Sequence, residues 1–313
     1  MPAKKRKFII FAVVAAFLLA LIAWIVWGNT ALELNTYTIS SSKLPQSFDG
    51  YRIAHVSDLH NAEMGKDVSL YYKFFYHNNI SVNMIPVDAD FSKYKIVVAP
   101  VLYMVKAGMK EALTKFVENG GILITTFMSG LVDESDNVHL GGYPGPLREL
   151  AGVWVEEIDA LAPEQTNKIT FADGTSSTCS LLCDLIHLES AQSVASYESN
   201  FYAGMPAITK NQYGKGYTYY IGTNPTEDGI VKVLDMAVQT AGVTSVVSVA
   251  TGLEITCRKT DRFTYYFIFN FKDKVLPLPE NFIGQKDLLT GEIIPEGCHL
   301  KQYDAYLVAF PNE

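Results

Sequence analysis

Asp58 and His60, in Ser57-Asp58-Leu59-His60, are the residues of this chain best suited to chemistry by type and spacing. They follow the apolar run Ile53-Ala54-His55-Val56. A strand ending in Asp-x-His would present a carboxylate and an imidazole from one turn, a pair suited to a single divalent cation. Two ligands fall short of what a two-metal hydrolytic centre needs to hold its cations about 4 Å apart. His77, His139, His187 and His299 stand alone in the sequence. Cys179 and Cys183 are spaced as one helix face would place them, but no second ligand pair accompanies them. With Cys257 and Cys298 they read as buried or incidental thiols rather than a metal site. Ser129, in Phe127-Met128-Ser129-Gly130, could serve as a nucleophile only beside a base and an acid, and none is arranged near it in sequence. A turn is expected there. Gly214-Lys215-Gly216 invites a phosphate-loop reading, yet it lacks the upstream glycine and precedes a strand, so it reads as a hairpin turn. Gly141-Gly142-Tyr143-Pro144-Gly145-Pro146 is too rich in turn-forming residues for a helix or strand. It predicts a shaped loop carrying His139, Tyr143 and Arg148 to an interface or a pocket rim, with an oligomer contact preferred.

The elements that must position these residues centre on 95–127. Two β-branched runs, Ile96-Val97-Val98-Ala99 and Ile122-Leu123-Ile124-Thr125-Thr126, flank a segment with apolar residues at Met109, Leu113, Phe116 and Val117. That is strand, helix, strand, with Gly120-Gly121 where a helix C-cap belongs. Neither strand alternates polar with apolar, as expected of parallel strands buried on both faces. The spacing of Leu70, Tyr71, Phe74 and Phe75 predicts a helix before it, and residues 80–85 a short strand. After residue 245, β-rich runs at 253–258, 263–271, 286–289 and 306–310, separated by turns, predict a small antiparallel domain.

The chain has 313 residues, 49% of them hydrophobic, and a net charge of −8. That length can bury one large core or two ordinary ones. Four of its basic residues are gathered at Lys4, Lys5, Arg6 and Lys7, so the remainder offers no basic face to a nucleic acid. Residues 8–27 form an uncharged apolar run long enough to span about 30 Å of bilayer. The basic cluster before it puts the N-terminus in the cytoplasm and the bulk outside, with Trp24 and Trp27 at the far interface. An uncleaved anchor is expected over residues 1–30 in preference to a signal peptide.

Ser57-Asp58-Leu59-His60-Asn61-Ala62-Glu63, with the anchor, resembles the start of membrane-anchored calcineurin-like metallophosphoesterases, over residues 1–67. The Gly-Asp, Gly-Asn-His and Gly-His-x-His motifs of that family do not follow, so a vestigial single-ion site at Asp58 and His60 is the most this resemblance implies. From residue 68 onward the sequence resembles the non-catalytic end of glycoside hydrolase family 42 β-galactosidases. The words are Asp90-Phe-Ser-Lys-Tyr-Lys-Ile-Val-Val-Ala-Pro100, Phe116-Val-Glu-Asn-Gly-Gly121, Ser129-Gly-Leu-Val-Asp-Glu134, His139-Leu-Gly-Gly-Tyr-Pro-Gly-Pro-Leu-Arg148 and Tyr213-Gly-Lys-Gly-Tyr-Thr-Tyr-Tyr220. The resemblance implies a flavodoxin-like or glutamine-amidotransferase-like αβα domain with a parallel sheet over 68–245, which mediates trimer formation. It also implies a β domain over 246–313. An amidotransferase would need a cysteine at the elbow that holds Met128-Ser129. The family hydrolyses β-galactosides with two glutamates in a separate (β/α)₈ barrel, and retaining hydrolysis needs two carboxylates about 5 Å apart. No such barrel is expected here, so Glu134, Glu149, Glu156 and Glu157 are not nominated as catalytic and galactoside chemistry would depend on a barrel supplied elsewhere. The expectation is an oligomerising accessory portion joined near Gly65 to a phosphoesterase-like start. Its residues 52–57 would fill the first strand position of the sheet, beside 81–85 or 96–98. Two rival readings are a metal-dependent phosphoesterase remnant and a carbohydrate-binding or scaffold module using Tyr143 and Trp154 as stacking rings. A membrane location competes with a cytoplasmic one, which four unpatterned cysteines would also allow.

Overall fold

The computed structural model describes residues 62–87, 89–247 and 252–312, with side chains from residue 69 onward. The expected anchor at 8–27, the Asp58–His60 pair and the strand expected at 52–57 lie outside the described residues. Among the described residues no helix is long and apolar enough to cross a membrane.

Helix α1 (Ala62–His77) leads past a stretch at 80–85 with no regular secondary structure into strand β1 (Ile96–Ala99), helix α2 (Met109–Glu118) and strand β2 (Ile122–Thr126). β1 and β2 pair in parallel from Ile96 opposite Ile122 to Ala99 opposite Thr125, as the hydrophobic pattern requires. Met109, Leu113, Phe116 and Val117 are all buried. Asn119 caps α2 with its N–H on the Lys115 carbonyl, and Gly120 then takes a φ of +108°, which L residues avoid.

Beyond this unit the sheet changes character. Strands β3 (Val153–Ala160), β4 (Asn167–Phe171), β5 (Ser176–Leu188), β6 (Gln192–Tyr197), β7 (Pro206–Tyr213), β8 (Gly216–Ile221) and β9 (Thr223–Pro225) complete it. The order is β1-β2-β8-β7-β6-β4-β5-β3, with β9 on β5. Only β1, β2 and β8 run parallel among the described strands, and every other pairing is antiparallel. The expected parallel sheet is therefore a mixed one. The cause is loop length. A parallel connection needs about a dozen residues or more, whereas β7 and β8 are joined by Gly214 and Lys215 alone and β4 and β5 by a short turn through Asp173 and Gly174. Gly214, at φ +57°, makes the expected hairpin turn. Residues 80–85, expected as a strand, form neither strand nor helix and pair with no described strand.

Helices α1 and α4 (Glu227–Ala241) cover one face, where Tyr71, Phe74, Phe75, Val233 and Leu234 pack on Ile122, Ile124 and Ile221. α2 covers the other with Leu113 and Val117 against Leu123. Successive residues of β2 thus serve opposite cores, and all five are buried. The parallel end is a three-layer αβα arrangement.

A second core forms from residues 247–308. Strands β10 (Glu254–Lys259), β11 (Phe263–Phe269) and β14 (Ala305–Pro311) make an antiparallel sheet, and β12 (Leu276–Pro277) pairs with β13 (His299–Leu300). Ile255, Ile268, Phe282, Leu300 and Val308 are its fully buried members. Asn79 ties this core to α1: its side-chain oxygen accepts from the Ile255 N–H at 2.8 Å and its carbonyl from Val246 at 2.9 Å. It does so from a left-handed φ of 51°, which asparagine tolerates.

Candidate functional site

After β2 the chain turns sharply at Met128, whose φ is 56°. A strained turn directly after a strand is where an elbow enzyme carries its nucleophile, and here that position holds a thioether. Ser129, one residue on, is fully buried; its Oγ accepts from the Leu102 N–H at 3.0 Å and from the Thr125 hydroxyl at 2.7 Å. It is a turn residue, as expected.

The glycine-rich loop folds back on this turn. A Cβ on Gly130 would sit 2.3 Å from the Pro144 carbonyl oxygen, and one on Gly145 would sit 2.6 Å from that of Gly130. The Tyr143–Pro144 peptide is cis, and the Val155 N–H donates to the Tyr143 carbonyl at 2.8 Å. Tyr143 points inward rather than to a rim and is buried. Its hydroxyl donates to one oxygen of Asp184 on β5, while Tyr220 on β8 donates to the other at 2.6 Å. Asp184 is wholly buried, and desolvation pushes its carboxyl up to about 7 against the opposing pull of the two hydroxyls. The same burial, with the carboxylate beside it, raises the Tyr143 hydroxyl far above its ordinary range. A loop, a long strand and the central hairpin thus meet on one carboxyl group.

Outside this anchor lies a polar and aromatic surface. Arg148, opening the short helix α3 (Arg148–Ala151), grips Glu189 with its Nε 3.0 Å from each carboxylate oxygen. Its guanidinium lies 5.7 Å from the centroid of Trp154 on β3, and Trp154 stacks on His187 of β5 at 4.8 Å. His187 Nε2 meets Glu156 at 2.6 Å. Beside them Leu140 is 99% exposed and Val138 62% exposed. The buried His139 Nε2 and Trp154 Nε1 have no hydrogen-bond partner among the described residues. Tyr143 is buried and Trp154 is already stacked, so the two offer no coplanar platform for a sugar ring. Among the described residues no group of three or more His, Cys, Asp and Glu could hold a metal ion.

This fold is not peculiar to the chain. Residues 46–244 match the family described as the β-galactosidase trimerisation domain. The chain belongs to that family. As a trimerisation-domain protein it is 49% identical over 223 residues to β-galactosidase LacA of Lactobacillus acidophilus, covering 71% of this chain and 33% of that one. With β-galactosidase BgaP of Planococcus sp. (strain L4) it shares 43% identity over 248 residues, 78% of this chain and 37% of the relative. The solved β-galactosidase of Bacillus circulans sp. alkalophilus aligns with a TM-score of 0.73 and 37% identity, over 78% of this chain and 37% of that structure. The chain thus spans about a third of the length of the curated relatives it matches. It corresponds to an accessory portion of those enzymes.

Within the trimerisation domain the sequence brought His139, Tyr143 and Arg148 to one loop, and the structure keeps them on adjoining turns but divides their roles. Tyr143 anchors the loop, Arg148 faces solvent and His139 is half-buried between. Asp184, Tyr220, Glu189 and His187 were not foreseen. A lone carboxylate inside the apolar run 181–188 is the one signal that could have found Asp184.

Proposed function

We propose that this chain is the oligomerising portion of a β-galactosidase assembly, that it forms a homotrimer, and that the loop surface at residues 138–148 with Trp154 and His187 is its contact. The family match over 46–244 carries this reading. The exposed Leu140 and Val138, ringed by a bidentate Arg148–Glu189 pair and a stacked Trp154, supply an apolar centre with a polar rim, the composition of a protein contact. Hydrolysis of galactosides belongs in this scheme to a catalytic barrel on another chain or chain segment. Light scattering on the full chain in detergent tests the assembly. Three times the protomer mass supports it, and a monomer at micromolar concentration overturns it.

The proposal includes a single-pass anchor at residues 8–27, with the N-terminus cytoplasmic and the bulk extracytoplasmic, supported by the uninterrupted apolar run and the basic residues before it. A cytoplasmic location is the alternative. Protease protection of the chain in sealed inverted vesicles separates the two. The phosphoesterase-like reading of the N-terminal part rests on the words around Asp58 and His60, and the family match, beginning at residue 46, takes these residues in. Two ligands support at most a weak single-cation site there.

A further inference from the structure

Cys179 and Cys183 lie on strand β5, not on a helix, where side chains four apart along a regular strand would stand too far apart to meet. Strand β5 is not regular between them. Against β9, Cys179 faces Pro225 and Cys183 faces Thr223, with a register shift after Ser180, so five residues of β5 span three of β9. Leu181, in the bulge, takes a φ of +71° and turns its side chain outward. The bulge removes two residues from the count, so the cysteines become next neighbours on the same face. Two residues of the facing strand advance about 6.6 Å, at the upper end of the Cα separations a disulfide bridges, so closing the pair draws the two side chains together across the bulge. Both side chains are fully buried in the same core, and the Cys183 sulfur lies 3.8 Å from the Thr223 hydroxyl. The neighbouring Cys183 raises the Cys179 thiol well above its ordinary range, and Cys179 in turn lowers that of Cys183.

We propose that Cys179 and Cys183 form a reversible redox pair that closes to an intrastrand disulfide in an oxidising compartment and opens to two thiols in a reducing one. The neighbouring Cys179 makes Cys183 the more acidic thiol and therefore the attacking one. With glutathione disulfide as oxidant, the Cys183 thiolate attacks one sulfur and releases a glutathione thiolate, leaving a mixed disulfide. Cys179 gives up its proton to that thiolate and attacks the Cys183 sulfur, releasing the second glutathione. Two protein thiols are oxidised and one glutathione disulfide is reduced to two thiols. Because both sulfurs are buried, exchange waits on local opening of β9, a strand of three residues, or takes place while the chain folds. The proposal is independent of the oligomeric reading.

The test holds the full chain in detergent in glutathione buffers from reducing to oxidising, and refolds a second sample from guanidinium in the same buffers. Each is quenched in acid, unfolded, alkylated with a maleimide, digested and weighed. In the oxidising buffer the peptide spanning Cys179 and Cys183 is expected to be lighter by two hydrogens and unalkylated, to recover both maleimides after reduction, and to leave Cys257 and Cys298 alkylated. Cys183→Ser is expected to lose the lighter species. Both thiols remaining alkylated in the refolded oxidised sample, or pairing with glutathione, Cys257 or Cys298 instead of with each other, overturns the proposal. The wild-type masses decide the matter even where the variant does not fold.

Discussion

A carboxyl group buried with two phenols and raised to about 7 makes folding depend on pH in the direction opposite to that of a salt-bridged aspartate. In the unfolded chain Asp184 ionises near its ordinary 3.8, while in the fold it keeps its proton until about 7. Between those values the native state holds the extra proton, so this group's contribution is full below about 4, falls as pH rises and is flat above 7. The whole effect is at most roughly 4 kcal/mol. Melting temperatures of the wild type and Asp184→Asn from pH 4 to 8 should converge or cross as pH rises, and parallel curves would show the carboxyl to be silent. Exposed acids such as Asp173, held low by Lys232, act with the opposite sign in both proteins and cancel in the difference. Tyr143→Phe leaves one Asp184 oxygen without its donor and should cost about 1–3 kcal/mol in guanidinium unfolding. The residue types of the loop were readable from sequence, because glycine and proline declare a shaped turn. Tyr143's inward aim was not, since it is set by Asp184, far along the chain and on another strand.

At the level of the element, the βαβ unit was legible because both its signals are local: hydrophobic period in α2 and β-branched runs on either side. Leu113→Ala, deep in α2, should therefore cost about 2–5 kcal/mol by equilibrium denaturation. The antiparallel half was less legible. Its connections are short turns, but the bulge that shapes β5 depends on pairing with β9 and leaves no trace in composition. The loop offers a paired test of steric against conformational cost. Gly141 and Gly142 both have positive φ, yet a Cβ on Gly141 would meet nothing within 4 Å while one on Gly142 would lie 2.1 Å from Trp154 Nε1. Gly141→Ala should lose only about 1–2 kcal/mol to strain. Gly142→Ala should lose distinctly more, and equal losses would mean that Trp154 moves aside freely.

For the molecule as a whole, the proposed assembly puts Leu140 at the centre of a contact. A leucine left almost entirely in water gains from burial against a partner, about 25 cal/mol for each Å² covered. Leu140→Asp should shift the mass seen by light scattering from trimer to monomer while leaving the melting temperature at high dilution unchanged, because nothing within the protomer rests on that side chain. A trimer that survives the change would move the contact elsewhere on the surface.

The mixed sheet also sets an order of events. Strand β2 lies between β1, just before it in the chain, and β8, which arrives only after strands β3 to β7 have been made: Ile122 pairs with Tyr217. Contacts so distant in sequence close late, after the hairpins have formed among themselves. During synthesis, then, an apolar strand destined for complete burial waits with one edge unpaired until residue 221 has left the ribosome, and an edge of that kind is a template for pairing with the wrong chain. The strand most deeply buried in the finished protein is thus the one whose exposure a chaperone would have to manage while the protein is being made.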